Sequence, residues 1–90
     1  MAQSETVFEY EVDYEGARAK AKEMARRMQG KHPEIGYRIV TRYDEGVFLE
    51  LYGPDEERIR RIAKAMDKRV VDLILAGTPV YVIYGGPEEP

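Results

Sequence analysis

The chain has 90 residues, 43% of them hydrophobic and 34% charged, with a formal net charge of −3 and no cysteine. That length allows one domain around one modest core, and the apolar fraction excludes a disordered chain. The missing cysteines exclude disulfides, thiolate metal sites and a cysteine nucleophile, and the slight acidity argues against a nucleic-acid partner, which asks for a basic footprint.

No apolar run approaches the roughly 20 residues of a membrane span, so no membrane partner is expected. Residues 1–6 lack the basic start and apolar stretch of a secretory signal. The expectation is a soluble chain compatible with cytoplasmic expression.

Residues 6–13 alternate, with Phe8, Tyr10 and Val12 on one side and Glu9, Glu11 and Asp13 on the other, which predicts a half-buried strand. Asp13 can cap a helix, with Glu15 in its first turn. The helix runs to about Gln29 on an inner stripe of Ala17, Ala21, Met24, Ala25 and Met28, and Gly30 serves as its C-cap. Residues 31–34 connect it to a hairpin whose three-residue loop is Asp44-Glu45-Gly46, a type I turn ending in a left-handed glycine. Across that loop Tyr43 meets Val47, Thr41 meets Leu49 and Ile39 meets Leu51 on one face. Arg42 meets Phe48, Val40 meets Glu50 and Arg38 meets Tyr52 on the other.

Pro54 opens a second helix with Asp55, Glu56 and Glu57 in its first turn. Its stripe is Ile59, Ile62, Ala63, Met66, Val70, Leu73 and Ile74, and Gly77 and Pro79 stop it. A last strand covers residues 80–84, and residues 85–90 form a loose tail. The order β-α-β-β-α-β predicts an α+β, ferredoxin-like two-layer sandwich: a four-stranded antiparallel sheet with both helices on one face. One domain spans residues 1–90, with an ordered core over 6–84.

The second helix is unusually long. At about 22 residues it reaches roughly 33 Å and overhangs strands of roughly 20 Å. A competing reading makes residues 70–75 an extra strand paired with 80–84, although no glycine or proline supplies a hinge before it. Val71 and Leu75 lie off the main stripe and either pack on the loop over residues 33–35 or form a partner interface.

Catalytic signals are absent. His32 is the sole histidine and Ser4 the sole serine, so no triad can be assembled. Glu9, Glu11, Asp13 and Glu50 could gather carboxylates for a hard cation, but Arg38 and Arg42 are placed to neutralise them. No metal, no cofactor and no enzymatic activity are expected. Phe48, Tyr52, Tyr81 and Ile83 on the helix-free face give the chain a topology that resembles an RNA-recognition domain, which stacks bases on such aromatics. That family carries a basic-Gly-aromatic-small-aromatic run where this chain reads Glu45-Gly46-Val47-Phe48-Leu49, so RNA binding is not carried over. Arg42 over Phe48 and Arg38 over Tyr52 read instead as cation–π pairs. The passage from Gly46 to Gly53-Pro54-Asp55-Glu56 is similar to that of acylphosphatases. Glu15-Gly16-Ala17 stands where they carry a phosphate loop, Lys20 stands near the required arginine, and the chain has no asparagine, so that activity is not carried over either.

Tyr10, Tyr37, Tyr43 and Tyr84 point to the helix side, against an alanine-rich helix. They either pack as core or line a small-molecule pocket between the sheet and the helices. Helix surfaces filled with Arg, Lys, Glu and Ala, the pairs Glu56–Arg60 and Glu57–Arg61, and orderly helix ends make the chain resemble computationally designed ferredoxin-like proteins. A compact thermophilic protein would share these traits. The resemblance implies a stable scaffold without a natural biochemical function. It requires no partner and is open to homodimer formation through Val71 and Leu75. The alternative is a small-molecule binding domain that uses the tyrosine-lined side.

Overall fold

The computed structural model describes residues 12–90. Helix α1, Tyr14–Lys31, starts at Asp13, whose carboxylate accepts a hydrogen bond from the Gly16 N–H at 2.8 Å. That contact satisfies one of the amides that a helix start leaves without a partner. The buried residues of α1 are Ala17, Ala21, Met24, Ala25 and Met28, the stripe expected from their spacing. Gly30 does not end the helix as expected. The cap is His32, with φ −136° and ψ 71°, and its N–H donates to the Met28 carbonyl at 2.8 Å. The stop comes from Pro33, because the residue before a proline is pushed out of the α region.

Strands β1, Gly36–Arg42, and β2, Gly46–Tyr52, pair antiparallel. Tyr37 faces Leu51, Ile39 faces Leu49 and Thr41 faces Val47, while Arg38 faces Glu50 and Val40 faces Phe48. This register differs by two residues from the expected one. The turn lies one residue earlier, over residues 43–45: the Glu45 N–H donates to the Arg42 carbonyl at 3.0 Å, and Asp44 takes φ 80°. Aspartate tolerates a positive φ, so the turn did not need its left-handed residue at the glycine. A shift of two preserves parity, and every hairpin residue keeps its expected face.

Helix α2, Glu56–Lys64, is capped by Asp55, whose side chain accepts from the Arg58 N–H at 3.1 Å, so Pro54 lies just before the cap and not in the first turn. Helix α3 covers Asp67–Leu75. The single long helix is thus two nine-residue helices. Between them the Met66 N–H donates to the Ala63 carbonyl at 3.0 Å, a tightened three-residue turn, before Val70 resumes the α pattern with Met66 at 2.9 Å. Both helices contribute to the core, with Ile59 of α2 1% exposed and Leu73 of α3 5% exposed. At the far end Gly77 takes φ 83°, its N–H reaches the Ile74 carbonyl and the Thr78 N–H reaches the Leu73 carbonyl, a Schellman closure. Residues 70–75 are therefore helical, and the extra-strand reading falls.

Strand β3, Val80–Gly86, lies beside β2 and parallel to it, pairing Phe48 with Tyr81, Leu49 with Val82 and Leu51 with Tyr84. Val47 N–H to the Pro79 carbonyl at 3.0 Å and Gly53 N–H to the Gly86 carbonyl at 3.1 Å fasten its two ends. The strand runs two residues beyond the expected end of the ordered core, with an irregularity between Leu51 and Tyr52.

The described sheet is three-stranded and mixed, in the order β1-β2-β3. This overturns the ferredoxin-like, four-stranded antiparallel expectation. That topology needs the N-terminal strand between Gly46–Tyr52 and the last strand, and β3 occupies that edge directly. The fold class is α+β, with α1 over β1 and β2 and with α2 and α3 over β3. The expected strand over residues 6–13, with Glu9, Tyr10 and Glu11, lies outside the described residues except for its last two positions, where Asp13 is the helix cap. The core gathers the α1 stripe with Val47, Leu49, Leu51, Ile59, Leu73 and Val80.

Candidate ligand groove

The helix layer is not closed. Between the C-terminal half of α1 and the α2–α3 junction runs a half-open groove of about 310 Å³. Met24 and Met28 of α1 form one wall, and Ile62, Ala65 and Met66 form the other. Methionine at three of these positions gives a soft, adaptable apolar lining.

The rim carries Arg27, Lys31 and His32 on the α1 side and Arg69 on the α3 side, with Glu23 the sole carboxylate among the lining residues. Arg69 Nη2 bridges to Glu23 Oε1 at 3.3 Å, tying α3 to α1 and using up that carboxylate. Arg58 donates to His32 Nδ1 at 3.0 Å and is ion-paired with Glu34. An arginine only donates, so His32 Nδ1 accepts there. A hydrogen bond from its backbone and the Arg58 pairing hold the Glu34 carboxyl below its usual range. Arg27 and Lys31 enter no ion pair among the described residues. They stand four residues apart on one face of α1, beside the methionines.

The helix-free face of the sheet holds a second polar group. Glu50 is buried, accepts from Tyr52 Oη at 2.6 Å and pairs with Arg38 Nε at 3.4 Å. The expected Arg38–Tyr52 cation–π pair is replaced by this arrangement, because Glu50 and not Tyr52 stands opposite Arg38. Arg42 does lie over Phe48, 4.6 Å from its centroid, reaching it diagonally, and Phe48 stacks on Tyr81 at 5.2 Å.

The hydrogen bond to Glu50, with burial and the carboxylate's charge behind it, raises the Tyr52 hydroxyl above its ordinary value near 10. A raised value means the fold holds the proton more tightly than the unfolded chain. The contribution is complete below the unfolded tyrosine range and is lost as pH rises through the higher folded value. Absorbance at 295 nm should therefore show a tyrosine step at raised pH that Tyr52→Phe removes. An unchanged alkaline limb in the variant would show that the bond does not persist in solution.

Among the tyrosines expected to line a pocket, Tyr37 and Tyr84 are partly buried against the core on either side of Leu51. Tyr84 donates to the Gly53 carbonyl at 3.1 Å, and Arg60 lies over its ring at 5.5 Å. Tyr43 is 74% exposed in the hairpin turn and meets Tyr14 edge-on at 5.0 Å. Tyr10 lies outside the described residues. Among the described tyrosines, neither Tyr37, Tyr43 nor Tyr84 lines the groove. Val71 and Leu75 are 52% and 77% exposed on α3, so neither is seated in the core.

The groove was missed because its residues read as ordinary core stripe. The available signal was the pair Arg27 and Lys31 flanking Met24 and Met28, but the separation of two helices cannot be read from spacing. Among the described residues no group of three His, Cys, Asp or Glu could hold a metal ion, and no helix is long and apolar enough to cross a membrane. No protein-family model, no curated protein and no solved structure matches the chain.

Proposed function

We propose that this chain is a designed, non-enzymatic scaffold whose fold requires neither ligand nor partner. The observation that carries this reading is the agreement of its local devices with its global fold. Side chains cap the starts of α1 and α2, and a Schellman closure ends α3. Arg60 and Arg61 reach Glu56 and Glu57 one turn back, at 2.7 and 3.4 Å. Each device contributes only tenths of a kcal/mol to about 1.5 kcal/mol, and their concurrence is what a sequence written for its backbone displays.

The test is refolding without ligands. After denaturation and dialysis the chain should regain its circular dichroism, show the bare-chain mass in native mass spectrometry, and unfold cooperatively above about 90 °C. Refolding that needs a copurifying molecule, or a midpoint in the ordinary range of about 45–65 °C, would count against a scaffold.

Val71 and Leu75 stand one turn apart on a short helix, against the roughly 800 Å² that each partner of a stable complex contributes. The scaffold is therefore expected to be a monomer at micromolar concentration. Light scattering on the parent and on Val71→Arg/Leu75→Arg should give one and the same monomer mass. A parent dimer abolished by the substitutions would make that helix face an interface.

A further inference from the structure

We infer that the groove between α1 and the α2–α3 junction is a binding site for a single-chain aliphatic carboxylate of medium length. Three features of the groove select this chemistry. Its walls are apolar and mostly methionine, with Met24 and Met28 nearly solvent-free and Met66 opposite them. Such walls match an unbranched hydrocarbon chain, whose shape they can follow by rotamer change.

Its size is the second feature. About 310 Å³ lies at the small end of ligand pockets, which favours a short single tail over a sterol or a two-chain lipid. The third is charge. Arg27 and Lys31, one turn apart on the rim, have no ion-pair partner among the described residues, while the rim's one carboxylate, Glu23, is engaged by Arg69. A carboxylate head placed beside Arg27 and Lys31 with its tail among the methionines would satisfy both requirements together. An amine head would meet two like charges, and a neutral head would leave them unused.

The methionines supply their own probe. Residues 1, 24, 28 and 66 are the four methionines, and three of them line the groove. In protein labelled at the methionine methyl carbons, decanoate below its micellar concentration should shift the signals of Met24, Met28 and Met66. Decanol should bind about tenfold more weakly, the order that two exposed charge pairs supply together. Raising salt should narrow that ratio. Arg27→Glu/Lys31→Glu changes only the exposed rim, and it should abolish the preference while keeping the methyl shifts with decanol.

Equal affinity for decanoate and decanol in the parent protein overturns the assignment of an anionic head. Tighter binding of decyltrimethylammonium overturns it too. Saturating decanoate that leaves all three groove methyls in place overturns the site altogether. The parent-protein comparison stands even if the double variant fails to fold.

Discussion

Leu49→Ala should destabilise the protein by about 3 kcal/mol, within the roughly 2–5 kcal/mol seen for such truncations in close-packed cores. Leu49 is fully buried at the centre of β2, the strand bonded on both edges. Ile39 faces it across the antiparallel ladder and Val82 across the parallel one. Backbone pairing on both sides fixes its Cα, and the helix layer closes over its side chain, so the lost methyl groups leave a cavity that the surroundings cannot fill. Urea denaturation should show a lower midpoint with an unchanged slope, because the surface exposed on unfolding stays the same. Val40→Ala is the matched control. Val40 lies on the same sheet but on the helix-free face and is only half-buried, so its truncation should cost about 1 kcal/mol or less. Comparable costs for the two substitutions would mean that the helices do not seat on the face assigned to them.

That face was legible in the sequence for a simple reason. Strand alternation has a period of two, and Ile39, Thr41, Val47, Leu49 and Leu51 share parity whichever nearby turn closes the hairpin. The turn itself was not legible at the same resolution. Moving it by one residue changes the pairing by two, and the sequence offers two residues able to take positive φ, Asp44 and Gly46. The α1 stripe was read residue for residue because five small or flexible apolar positions recur at helical spacing with no competing pattern.

What escaped were choices made by tertiary packing. Nothing between Pro54 and Gly77 marks a break, yet the helix tightens at Met66, with Ile59 before it and Leu73 after it both buried. Strand order escaped for a similar reason. The string of elements is compatible with a strand inserted between β2 and β3, and only the direct ladder from Val47–Val80 to Leu51–Tyr84 excludes it. The groove follows from that placement, because it depends on how far apart α1 and the α2–α3 pair rest on the sheet. Met24, Met28 and Met66 read as helix stripe, and Lys31 reads as part of the connection over residues 31–34 although it closes α1. Neither reading contains the space between helices.

Gly46→Ala should be about as costly as the core truncation, at about 3 kcal/mol, and for two separable reasons. Gly46 has φ 142°, a region closed to residues with a Cβ, and holding one there costs about 1–3 kcal/mol. A Cβ would also lie 2.9 Å from Tyr81 Cε2 and 3.3 Å from the Pro79 carbonyl oxygen. The Tyr81 ring is not free to swing aside, since it stacks on Phe48 beneath Arg42. The Pro79 carbonyl is held as well, because it accepts the Val47 N–H at the start of the parallel ladder. In a double-mutant cycle Tyr81→Ala should recover the ring contact and leave the backbone strain, so less than half of the loss returns. Asp44→Gly separates the two hairpin registers. With Asp44 at φ 80°, a glycine there relieves strain, and the variant should match or exceed the parent in stability. Were the loop instead over residues 44–46, Asp44 would need no positive φ and a glycine in its place would weaken the turn. A destabilised Asp44→Gly would restore that register and move every cross-strand partner of the hairpin by two residues.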